Sequence, residues 1–95
     1  MADRKPGGGA QELKSHDVGL GFLRTEIQTG LSFANLARTA GADVDKRERN
    51  RALALMAVST VERFLSKVID VTPDDVAEIT ANLEQLRQAI AAIPG

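Results

Sequence analysis

The chain contains no cysteine, tryptophan or tyrosine. Without thiols there is neither a disulfide nor a thiolate metal site, and nothing marks a redox compartment. Without tyrosine or tryptophan, three phenylalanines are the whole aromatic supply, and their spacing reads as core rather than as a base-stacking platform. The one histidine, His16, has no cysteine or tyrosine to partner it and reads as a solvated side chain. Acid–base work would then fall to Asp70, Asp74 and Asp75. These stand around a helix–helix corner, where capping already accounts for Asp74 and Asp75. The chain is therefore expected to be non-catalytic and to need no cofactor.

Long apolar runs are also missing. "MADRKPGGGA" has no apolar core of the kind a signal peptide needs, and no run approaches the ~18 residues of a membrane span. The expectation is a soluble cytoplasmic protein without a membrane partner. Net charge is −1, so no global field draws the chain toward nucleic acid or acidic lipid. Glycine clusters only at Gly7–Gly9, with no strand before it, which excludes a phosphate-binding loop. "DVDKRE" opens like a calcium loop at Asp43 and Asp45, but Arg47 stands where an oxygen ligand belongs and no glycine follows. No metal site is expected.

What is present suits one small all-α domain. The 95 residues are 43% hydrophobic and 26% charged, both near globular norms. A chain of this size buries about 60% of its unfolded surface, so stability on the order of 5 kcal/mol is expected. Residues 1–14, with Pro6 and the glycine run, read as a flexible tail, and residues 15–95 as the domain. Periodicity predicts helices over about 17–40, 44–70 and 73–92, packed as an antiparallel up-down-up three-helix bundle.

In the first helix, Leu20, Leu23, Ile27, Leu31 and Ala34 form one stripe, and Gly30, Ala34, Ala37 and Gly41 would let a neighbour approach closely. Gly19 and Gly21 weaken its start by roughly 1 kcal/mol each. Gly41 is a natural residue to end it. The second helix puts Ala54, Ala57, Val58, Val61, Phe64, Leu65, Val68 and Ile69 on a wide apolar face. Asp45 and Glu48 read as its capping-box pair, and Glu48 as a partner for Arg51. The unbroken apolar run Ala52–Val58 circles the helix, so this helix is expected to be buried on more than one side, at the centre of the fold. The third helix opens with "TPDD": Thr72 as N-cap, Pro73 first, Asp74 and Asp75 at the positive end of the dipole. Val76, Ile79, Leu83, Leu86, Ile90 and Ile93 then form a narrow stripe.

Two candidate surfaces remain. Phe33, Leu36, Leu53, Leu55 and Met56 are more apolar surface than one bundle needs, so either the chain covers them or a second protein does. They are the candidate protein-interaction residues, for another protein or for a homodimer. Lys46, Arg47, Arg49, Arg63 and Lys67 are the candidate nucleic-acid residues of the alternative reading, an accessory nucleic-acid binder. That reading is disfavoured, because acidic residues dilute the cluster and the helix is too long for a recognition helix.

Residues 30–65, "GLSFANLARTAGADVDKRERNRALALMAVSTVERFL", resemble a tetratricopeptide-like helical hairpin. Leu36, Ala37 and Ala40 look like its first-helix packing residues. Lys46, Arg47 and Glu48 fall near the start of its second helix, and Ala54, Ala57, Val61 and Phe64 look like the packing face. No second repeat follows. One hairpin with a third helix is similar to the microtubule-interacting-and-trafficking type of domain. Both resemblances imply a protein-binding scaffold and specify no binding residues.

Overall fold

Three helices form the fold: α1 (Gly7–Arg38), α2 (Val44–Leu65) and α3 (Pro73–Ala91), with no strand among the described residues. The computed structural model describes residues 7–68 and 71–94, with side chains from residue 19 onward. His16 and Asp70 therefore lie outside the described side chains.

The start of α3 follows the sequence closely. The Thr72 hydroxyl accepts from the Asp75 amide at 3.0 Å, and the Asp75 carboxylate accepts from the Thr72 amide at 3.3 Å. Two otherwise orphaned donors are thereby satisfied reciprocally, with Pro73 at the first turn, where no amide hydrogen is needed.

The start of α2 differs from expectation. Asp43, not Asp45, is the N-cap, and its carboxylate accepts from the Lys46 amide at 2.9 Å. Asp45 lies inside the first turn, where its charge favours the dipole. Glu48 instead pairs with Arg51 at 3.4 Å, as its spacing suggested. The connecting turn sets this boundary. Gly41 takes a φ of 65°, a left-handed conformation open to glycine at little cost. The Asp43 amide closes the turn on the Ala40 carbonyl at 3.2 Å, and Arg47 reaches back to the Gly41 carbonyl at 2.6 Å.

Helix lengths also depart from expectation. α1 begins at Gly7, so residues 7–14, expected in a tail, belong to the helix; residues 1–6 lie outside the described residues. Adding residues to an existing helix is far easier than nucleating one, and Gln11–Lys14 are mostly good helix formers. α1 ends at Arg38 rather than Ala40, and α2 ends at Leu65 rather than Asp70. At that end Ser66 is the C-cap, and both Lys67 and Val68 donate to the Phe64 carbonyl, at 2.9 and 3.1 Å. The shared acceptor tightens the last turn and stops the helix.

Contacts set the helix directions. Gly19 meets Val68, Phe22 meets Phe64 and Gly30 meets Ala57, so α2 runs against α1. Arg24 meets Glu78 and Gly30 meets Leu86, so α3 runs alongside α1. Arg51 bonds the Pro94 carbonyl and Glu62 pairs with Arg87, again antiparallel for α2 and α3.

One core lies where the three helices meet. Its largest fully buried members are Leu23, Ile27, Val61, Ile79 and Leu86, each worth about 1.5–3 kcal/mol of burial. Ala34, Ala37, Ala54 and Ala57 fill the α1–α2 contact, and Gly30 has no room for a methyl group. An ideal Cβ there would lie 2.8 Å from Leu86 Cδ2 and 2.9 Å from Ala57 Cβ. The α3 stripe is buried from Ile79 to Ile93, with Val76 exposed. Among the described residues Asn50 is the buried polar one, its amide donating to the Lys46 carbonyl at 2.9 Å.

The expectation that α2 is buried on more than one side is overturned. Leu55 and Met56 are exposed, 49% and 63% respectively. α1 and α3 both pack on the side that carries Ala54, Ala57, Val58 and Val61, so nothing is left to cover the far side. Phe64, expected on the core face, is 40% exposed as well.

Candidate functional site

Taking about 100° per helical residue, the buried side of α2 centres near Ala54 and Val61. Leu53, Met56, Thr60 and Phe64 fall on one flank. Arg51, Leu55 and Glu62 fall on the other, the flank that reaches α3 through Arg51 and Glu62. Leu55 is therefore separated from Leu53 and Met56. Neighbours one or two apart on a helix cannot share a face.

The same construction divides α1. Arg24 lies on the flank that meets α3, where its guanidinium donates twice to the Glu78 carboxylate, at 2.7 and 2.8 Å. This paired bond holds the Glu78 pKa below its ordinary value of 4.5. On the opposite flank stand Phe22, Glu26, Thr29, Phe33, Leu36 and Ala40, spaced alternately by four and three residues. From Phe22 to Leu36, the last of these inside α1, that spacing makes one straight stripe over about 21 Å of helix.

The two flanks adjoin. Phe22 and Phe64 meet edge to face, with ring centroids 5.5 Å apart and planes at 76°. This geometry suits the ring quadrupoles, yet Phe22 is 42% exposed. Phe33 is half-buried and packs against the core, Leu53 is half-buried, and Leu36 is exposed. The result is a shallow trough between α1 and α2, on the side away from α3. Phe22 and Phe64 sit at one end, and Phe33, Leu36, Leu53 and Met56 at the other. Of the five expected interaction residues, four share this trough and Leu55 does not. Phe22 and Phe64 are the members that were missed. Phe22 lies eleven residues before Phe33, three helical turns, so the stripe was readable from spacing alone.

The basic candidates divide too. Arg47 is engaged by the Gly41 carbonyl. The Arg63 guanidinium and the Lys67 ammonium lie over the Phe64 ring, 5.7 and 5.8 Å from its centroid. The Lys46 and Arg49 side chains project to the same side of α2. None of Lys46, Arg49, Arg63 and Lys67 forms a salt bridge among the described residues. Helical spacing puts Glu26 and Asp45 on this side, and Asp43 caps α2 beside Lys46, so among the described residues four cations stand with three acids there.

Among the described residues, no group of three or more His, Cys, Asp and Glu stands close enough to hold a metal, and no helix is long and apolar enough to cross a membrane. A second apolar strip, lined by Val71, Pro73, Val76, Ala77, Thr80 and Ala81, runs along the outer side of α3. Compared with models of known protein families, with curated proteins and with solved structures, the chain matches none.

Proposed function

We propose that the chain is a non-catalytic helical interaction module of the cytoplasm, which docks a protein partner in the trough between α1 and α2. One observation carries the reading. All three phenylalanines and Met56, the most exposed large hydrophobic among the described residues, lie along one side of one helix pair, although the buried side of that pair has its own apolar core. Exposed apolar surface of this kind, here two patches with Glu26, Thr29 and Thr60 between them, marks interaction sites. The resemblance of residues 30–65 to protein-binding helical hairpins supports the same reading.

Capture from cell lysate by the full chain and by Met56→Glu tests it. The substitution lies on an exposed position, so circular dichroism should show an intact fold. The bound set should shrink relative to wild type. A folded variant that captures the same proteins would remove the trough as the docking site.

A second reading, nucleic-acid binding through Lys46, Arg49, Arg63 and Lys67, draws on their forming no salt bridge among the described residues. Phosphate contacts give an affinity that falls steeply with salt. Absence of duplex or single-strand binding at about 50 mM salt would end that alternative.

A further inference from the structure

We infer that the trough's occupant is an acidic amphipathic helix of another protein, which completes a four-helix arrangement with this chain. The inference rests on the proposed interaction function and specifies the partner's chemistry.

Shape comes first. An antiparallel helix pair has two long grooves, and α3 fills one of them. It lays its stripe of Ile79, Leu83, Leu86, Ile90 and Ile93 against the core. The other groove has its own stripes: Phe22, Phe33 and Leu36 on α1, with Glu26 and Thr29 between them, and Leu53, Met56 and Phe64 on α2. Alternating spacings of three and four are what an apolar helix face fits. The α1 stripe, at about 21 Å, seats roughly four turns of helix.

Charge sets the sign of the partner. The apolar middle of the α2 stripe is bordered by Lys46 and Arg49 at one end and by Arg63 and Lys67 at the other. Cations that form no salt bridge among the described residues, set around an apolar seat, favour a helix that is acidic beside its apolar stripe. The filled groove is an internal precedent. Its occupant belongs to the most acidic third of the chain, where Asp74, Asp75, Glu78 and Glu84 stand against Arg87. It is gripped near its start by Arg24 on Glu78 and at its end by Arg51 on the Pro94 carbonyl. A second copy presenting the same trough would bring four cations against four, with Asp43, Asp45 and Glu26 of each copy, among the described residues, too few to offset them. Charge therefore selects against a homodimer through this face.

The test uses the full chain and two synthetic helices of about 20 residues. Both carry leucine at stripe positions; one has glutamate and the other lysine at the flanking positions. Fluorescence anisotropy at low salt should show binding of the glutamate helix, at least about tenfold tighter than the lysine helix, weakening as salt rises. Met56→Glu, and separately the exposed double change Arg49→Glu with Arg63→Glu, should each weaken it at least about tenfold. Equal binding of both helices, no binding of the glutamate helix, or binding unmoved by the variants would overturn the inference. So would displacement of the glutamate helix by phosphatidylglycerol vesicles or by duplex DNA at equal charge concentration, which would assign the face to a membrane or to nucleic acid. Loss of lysate capture on Met56→Glu, without glutamate-helix binding, would overturn this inference alone. Capture unchanged by Met56→Glu would overturn the interaction reading beneath it.

Discussion

The two sides of the α1–α2 pair both carry large apolar residues, but only the inner side, with Leu23, Ile27 and Val61, buries them fully. The inner side joins the helices through Gly30, Ala34, Ala37, Ala54 and Ala57, and Leu86 of α3 fits against it. The outer side carries Phe22, Phe33, Leu36, Met56 and Phe64, larger residues that could bury more surface, and leaves most of them exposed. Burial here follows fit more than hydrophobicity. Small residues allow close backbone approach, and the leucines and isoleucines of α3 fill what remains.

Substitutions on the two sides should behave oppositely, and Leu86→Ala is the most severe test. It empties a fully buried position and should cost about 2–5 kcal/mol in a urea titration. A cost under about 1 kcal/mol would mean that the inner contact is not as tight as described. Gly30→Ala comes next. The added methyl meets Ala57 Cβ, which is fixed to the backbone, so a loss of about 1–3 kcal/mol is expected, with a lower urea midpoint. Gly21→Ala should go the other way. No atom lies within 4 Å of a Cβ at that site, so the better helix former should stabilise by about 0.5–1 kcal/mol and raise the melting temperature. Met56→Glu, on the outer side, should leave stability within about 0.5 kcal/mol of wild type. A large loss there would show that the trough is packed by the chain itself.

The smallest effect concerns pH and the flank that meets α3. Glu78 has its pKa lowered in the folded chain by the Arg24 hydrogen bonds. Its contribution is thus present above the unfolded carboxylate range, and fades as pH falls through the lowered folded value. Glu78→Gln should flatten that part of the acid limb of a stability–pH profile, and an unchanged limb would remove the pair's stabilising role.

Much of the fold was legible because local chemistry was sufficient. "TPDD" specifies a helix start, and the α3 stripe from Ile79 to Ile93 is buried as its spacing requires. Gly41 takes the left-handed turn its place suggested. The second helix was read less well. Asp43 and Asp45 are both sound caps, and the glutamate three residues after Asp45 favoured the wrong one. The turn closed on Ala40 and the Arg47–Gly41 bond decide the boundary, and neither is visible in a local pattern. The run Ala52–Val58 names no face, since which side is covered depends on where α1 and α3 lie. The same limit hid the Phe22–Phe64 pair, which exists only once Gly19 is aligned with Val68 and Gly30 with Ala57. Four of the five apolar candidates nevertheless share one trough, because three- and four-residue spacings survive any alignment. Leu55 was grouped with them by adjacency in sequence, which a helix does not respect.

The notch at Gly30 also makes one alignment of the helices singular. A stripe that repeats every seven residues is nearly self-similar, and α3 could slide along α1 by about 10 Å and still present apolar side chains to apolar side chains. Gly30 breaks that degeneracy, because Leu86 and Ala57 converge on the one place where a missing side chain leaves room for them. After such a slide, a β-branched isoleucine, Ile79 or Ile93, would meet the notch in place of Leu86. Closing the notch would therefore do more than weaken the fold. It would remove the mark that tells the third helix where to stop, and turn one structure into several of similar energy.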